Sequence, residues 1–123
     1  MSLSVIPEIV SLLILFLSKF GNLLSINQKL PNKYNLYQNY PNPFNPETNI
    51  SFDMAENGFV ELNVHDIRGR KIRTLHTGYL LQGQYNVSWN GINDNNEYVS
   101  SGTYIINLMY ENKSISKKII FSK

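Results

Sequence analysis

From Thr48 to the last residue the chain alternates apolar and polar side chains with a period of two, and each alternating run stops at a cluster of Asn, Asp and Gly. A period of two places every second side chain on one face of an extended strand, and a run that buries one face cannot also be a helix. Ile50, Phe52 and Met54 alternate with Asn49, Ser51 and Asp53, and Val60, Leu62 and Val64 with Glu61, Asn63 and His65. Ile72 and Leu75 lie in a run expected to break at Gly78; Tyr85, Val87 and Trp89 form the next. Tyr104, Ile106, Leu108 and Tyr110 follow, and Ser114–Phe121 makes the last.

The separators carry turn chemistry. Asp66-Ile67-Arg68-Gly69 suits a type I turn closed by a left-handed residue, with Asp66 capping the turn donors and Gly69 supplying the positive φ. In the stretch Gly91 to Glu97, Asn is the best non-glycine occupant of the left-handed region. Ser101-Gly102 suits a bulge or a tight start to a strand. Residues 26–47 are extended by Pro41, Pro43 and Pro46, with Tyr34, Leu36, Tyr40 and Phe44 as apolar anchors, so they read as a strap packed on the domain's side. Adding one strand near Tyr34–Gln38 gives about seven, an all-β antiparallel sandwich of immunoglobulin-like size.

Residues 1–29 differ in character from residues 30–123. Leu12, Leu13, Ile14, Leu15, Phe16 and Leu17 are apolar on every side of a helix drawn through them, so that short hydrophobic helix needs cover from protein or lipid. The run is shorter than the roughly 20 residues of a bilayer span. Its length suits a signal peptide, yet no Lys or Arg precedes it and Glu8 stands where positive charge belongs. Three readings stay open: a cleaved signal, the remnant of a longer preceding protein, or a retained helix that associates with copies of itself.

Composition removes several function classes. There is no cysteine, hence no disulfide framework, Cys–zinc site or cysteine nucleophile. The net charge of +2 is spread along the chain, and Gly69-Arg70-Lys71 is too small a basic patch for nucleic acid. His65 and His76 are joined by no metal or catalytic motif. Asp94, Asn95 and Glu97 offer oxygen ligands, but without the spacing or glycine of an EF-hand, and read as a hairpin turn. Trp89 reads as a core plug. No catalytic residue, metal ligand or cofactor site is expected, and the bottom-up reading is a small non-enzymatic β-sandwich whose work is to be recognised or to associate.

Four segments carry a resemblance: YPNPFNPETNISF (Tyr40–Phe52), VHDIRGRKIRTL (Val64–Leu75), GQYNVSWNGINDNNEYVSSGTY (Gly83–Tyr104) and KKIIFSK (Lys117–Lys123). In this order and spacing the chain resembles the type A C-terminal sorting domain of the type IX secretion system (the Por secretion tail), found in Bacteroidetes and related phyla. That family is similar in fold to the immunoglobulin-like domain of the flagellar hook-capping protein. The resemblance implies a cargo tag, recognised by the secretion translocon and then cut by a sortase-like peptidase, on a protein that crosses the periplasm to the outer cell surface or beyond. Recognition elements implied by it are Pro41, Asn42, Pro43, Gly102, Tyr104 and Lys118; Asp66, Gly69, Trp89 and Gly91 are turn or core positions. Asn90, Asn96 and His65 depart conservatively from the family's usual residues. With about 30 residues ahead of the domain, no cargo is evident. The alternative is a structural subunit of an extracellular filament, self-associating through the N-terminal helix.

Overall fold

The computed structural model describes residues 29–123. The hydrophobic helix expected over Leu12–Leu17 lies outside the described residues. Seven strands follow: β1 (Asn35–Leu36), β2 (Thr48–Met54), β3 (Gly58–Asp66), β4 (Lys71–Leu80), β5 (Gly83–Trp89), β6 (Gly102–Tyr110) and β7 (Lys113–Phe121). They form two antiparallel sheets, β1-β2-β5 and β4-β3-β6-β7, packed face to face as an immunoglobulin-like sandwich.

The core is the set of side chains that the alternation assigns inward. Ile50, Phe52 and Met54 from one sheet meet Val60, Leu62, Val64, Ile106, Leu108 and Ile119 from the other, all buried. Burying each such side chain stabilises the fold by about 1.5–3 kcal/mol before conformational entropy is subtracted. Trp89 is buried, as its place at the end of an alternating run implies.

Local differences have physical causes. β4 does not break at Gly78 but runs through it to Leu80, with Gly78 opposite Val60 at a φ of 144° that glycine alone tolerates easily. The bulges lie not at Ser101-Gly102 but between β3 and β4, at Leu62/Asn63 and Val64/His65; Gly102 pairs regularly with Phe121. The first strand is two residues long rather than five, because the strap turns away after Tyr37 and touches β2 again through the isolated pair Tyr40–Asn49. That pair turns Tyr40 outward, so this expected anchor is 80% exposed, whereas Leu36 and Phe44 are buried and Tyr34 stacks on Tyr110.

Candidate functional site

The strand registers put five sequence motifs at one end of the sandwich. β2 begins at Thr48 opposite the end of β5 at Trp89; β3 ends at Asp66 opposite Tyr104; β6 begins at Gly102 opposite Phe121 near the end of β7. The PNPFNP box, the D-x-x-G-R turn, W-x-G, S-G-x-Y and the last strand are therefore neighbours in space.

The box is sewn to the last strand by its main chain. Phe44 N–H donates to Ile120 O (3.0 Å), Ser122 N–H donates to Phe44 O (3.1 Å), and Ile120 N–H donates to Asn42 Oδ1 (3.0 Å). The Gln38 amide donates to Lys118 O at 2.9 Å. The three X–Pro bonds of the box are cis. Prolines carry no N–H, so the strap bonds the outer edge of β7 at selected points and cannot continue as a regular strand.

Beneath the box the aromatics of four motifs share one cluster. The Phe44 ring lies 4.8 Å from Phe121 and 5.4 Å from Trp89, and Trp89 meets Tyr104 edge-on at 5.5 Å. Trp89 Nε1–H donates to Ile92 O (2.9 Å), so the buried indole leaves no unpaired donor. Gly91 has φ 76° and sits so close to Phe121 that a Cβ there would lie 2.8 Å from Cζ.

The D-x-x-G-R turn behaves as its residues dictate. Gly69 N–H donates to Asp66 O (3.0 Å) with Gly69 at φ 87°, and Asp66 Oδ1 accepts from the N–H groups of Arg68 and Arg70, each at 2.9 Å. Arg70 Nε adds an ion pair to Asp66 Oδ2 at 2.8 Å, which at an exposed site contributes little by itself. The backbone N–H of Arg70 is the largest cause holding the Asp66 carboxyl below its ordinary value. Across a groove of about 600 Å³ stand Ser101, Gly102 and Tyr104. The Tyr104 hydroxyl donates to Ser100 O (2.6 Å), and burial is the main cause raising its pKa.

Pro41, Asn42, Pro43 and Lys118 thus line one flank of this end, with Lys118 exposed on the outward side of β7 opposite Ile105. Asp66, Gly69, Gly102 and Tyr104 line the other, and Trp89 and Gly91 lie between them. The Asn-rich turn uses its oxygens internally: Asn93 Oδ1 accepts from the N–H groups of Asn95 and Glu97, and Asp94 Oδ1 from Thr74 N–H. His65 points outward beside Val64, whereas His76 is opposite core-facing Leu62 with Nε2 buried and unpaired, so the two imidazoles lie on opposite faces of one sheet. Among the described residues no three His, Asp or Glu side chains come together as a metal cage.

Buried polar groups at Asn39, Thr48, Asp53 and Asn63 escaped the sequence reading. Asn39 Nδ2 donates to Pro41 O (3.0 Å) and Thr48 Oγ1 (2.9 Å), while Thr48 Oγ1 donates to Pro41 O (2.7 Å), a knot that fixes where the box begins. Asp53 is buried and accepts from the Tyr37 hydroxyl and from Asn35 Nδ2. In an Asn-rich strap nothing in the residue pattern marks Asn39 out, and Asp53 reads as an ordinary outward position.

With this geometry in place, comparison with known proteins decides the family. The model of the FlgD Ig-like domain matches residues 40–114, more than half of the chain. The chain belongs to the FlgD Ig-like domain family. The matched range starts at the box and takes in the D-x-x-G-R turn, W-x-G and S-G-x-Y, four of the five motifs gathered at this end of the FlgD Ig-like domain. Among solved structures, the crystal structure of dimeric latent PorU from Porphyromonas gingivalis is similar with a TM-score of 0.57 at 14% identity, over 68% of this chain. The FlgD Ig-like domain described above corresponds to only 9% of that PorU chain, and at this identity the likeness is one of fold. No curated protein matches.

Proposed function

We propose that the FlgD Ig-like domain of this chain is a non-catalytic sorting signal, read at its motif end by the type IX secretion machinery and carried to the outer surface of a bacterium or beyond. The observation that carries the reading is the convergence just described. Motifs 78 positions apart, such as Asn42 of the box and Ile120 of the last strand, are bonded into one end that also holds the D-x-x-G-R turn. The resemblance to the type A sorting domain rests on these same segments. A translocon would read shape, main-chain edge and a few exposed side chains there, which is recognition by strand and surface. Pro41, Asn42, Pro43, Gly102 and Lys118 offer the exposed features, while buried Tyr104 shapes the groove from beneath. A sortase-like peptidase would cut in the segment before Tyr34.

The test is a reporter carrying residues 30–123 at its C-terminus, expressed in a type IX-competent bacterium. Surface display is expected, and loss of display on deleting Ser114–Lys123. Because that deletion also removes core residues Ile119 and Phe121, Lys118→Ala is run beside it, at an exposed position outside the core. Undiminished display from both variants overturns the reading.

A further inference from the structure

Among the described residues, the outward strand positions of the β1-β2-β5 sheet carry no Lys, Arg or Glu. Its outward positions are Asn35 and Tyr37 beside β1, Asn49, Ser51 and Asp53 on β2, and Gln84, Asn86 and Ser88 on β5. A sheet face left to solvent is ordinarily studded with charge, Lys above all where an edge strand such as β5 is open. Here amides and hydroxyls stand in a ladder around one carboxylate.

That carboxylate is held in place. Asp53 is 3% exposed, and both its donors, the Tyr37 hydroxyl and Asn35 Nδ2, fall on Oδ2. Asp53 still lines a groove of about 310 Å³ with Tyr37, Ser51, Gln84 and Asn86, and neither of those two side-chain donors falls on Oδ1. Two tyrosine rings flank the ladder. Tyr37 is 45% exposed and bonds through its N–H to Ser51 O; Tyr40 is 80% exposed and forms a two-bond pair with Asn49. Partners in an antiparallel pair share a face, so Tyr37 lines the groove and Tyr40 stands on the same sheet face beyond its rim, their β2 partners Ser51 and Asn49 about 7 Å apart.

We infer that this groove binds an uncharged, hydroxyl-rich saccharide. A sugar presents paired hydroxyls that donate to a fixed carboxylate and accept from Gln and Asn amides, and a ring face of C–H bonds that packs on tyrosine. Gln84 and Asn86 each carry both a donor and an acceptor, which suits hydroxyls and discriminates against ions. A ligand bearing carboxylate or sulfate would meet the Asp53 carboxylate with no cation among the described outward strand positions to offset it. The groove lies on a sheet face, distinct from the motif end, and stands independently of the sorting reading.

The test is calorimetric titration of the full chain with neutral hexasaccharides — cellohexaose, xylohexaose, mannohexaose and chitohexaose. At least one is expected to bind with a Kd of about 0.05–1 mM, a range suited to an open groove. Tyr37→Ala and Gln84→Ala each weaken that binding at least about 10-fold, with thermal melts confirming a native fold, and Tyr40→Ala, at a fully accessible ring, weakens it at least about 3-fold. Affinity is unchanged between low salt and about 0.5 M salt, since no ion pair forms. No binding by any of the four sugars at about 10 mM, binding indifferent to all three substitutions, or binding that falls with salt each overturns the inference.

Discussion

Replacing Gly91 by alanine should damage the motif end more than any other single-methyl change. Two costs combine. Gly91 sits at φ 76°, where an L-residue bearing a Cβ loses about 1–2 kcal/mol. The new Cβ would also lie 2.8 Å from Phe121 Cζ and 2.9 Å from Cε2, and the ring cannot swing aside because it packs 4.8 Å from Phe44 and 6.3 Å from Trp89. Forcing one carbon into such a packed cluster costs about 1–3 kcal/mol. The sum is about 2–5 kcal/mol, and at roughly 4–8 °C per kcal/mol for a domain of this size the midpoint falls by at least about 8 °C. Urea and thermal unfolding of Gly91→Ala, Phe121→Leu and the double variant at neutral pH measure it. Leucine lacks the ring carbons that clash, so Gly91→Ala should cost about 1–2 kcal/mol less in the Phe121→Leu background. A single-variant cost below about 1 kcal/mol, or additive costs across the cycle, refutes the reasoning that the last strand and the W-x-G turn are locked by ring contact.

Other expectations follow from the same end of the molecule. Asp66→Ala frees the N–H groups of Arg68 and Arg70 and should lower the thermal midpoint at neutral pH. The lowered Asp66 carboxyl contributes stability above its ordinary value of 3.8 that is lost as pH falls through the folded value, so acid unfolding of Asp66→Ala should be shallower below that point. Tyr104 has a raised pKa: the unfolded chain ionises first, and stability falls as pH climbs past 10.0 toward the folded value. Tyr104→Phe should flatten that alkaline fall in a pH series of denaturant melts, while losing about 1 kcal/mol at neutral pH with the bond to Ser100 O. Asn39→Ala removes the amide that ties Pro41 O to Thr48, and hydrogen exchange should show the Ile120 and Ser122 amides losing protection ahead of the β3 amides.

The period of two made the sandwich legible, because an inward set such as Ile50, Phe52 and Met54 has no other economical burial. Turns were legible wherever one residue type answers a backbone demand, as Gly69 and Asp66 do. The partners of those turns were not. Nothing along the chain says that Phe44 bonds Ile120 and Ser122, since a parallel bridge across 77 positions leaves no local pattern. Tyr40 and Phe44 look alike as aromatic anchors in a Pro-rich strap, and pairing with Asn49 rather than residue type turns one out and the other in. Gly78 reads as a breaker by propensity, yet pairing with Val60 on β3 carries the strand through it. The polar face around Asp53 was hidden for the opposite reason: each residue on it is an unremarkable outward position, and only the sheet register assembles them.

The central claim is that this end of the domain is an export address. The most direct measurement is the surface-exposed fraction of a reporter bearing residues 30–123, compared between a type IX-competent strain and an isogenic strain lacking that secretion system. The account predicts display in the first and periplasmic retention in the second. Equal display, or equal retention, in both strains contradicts it.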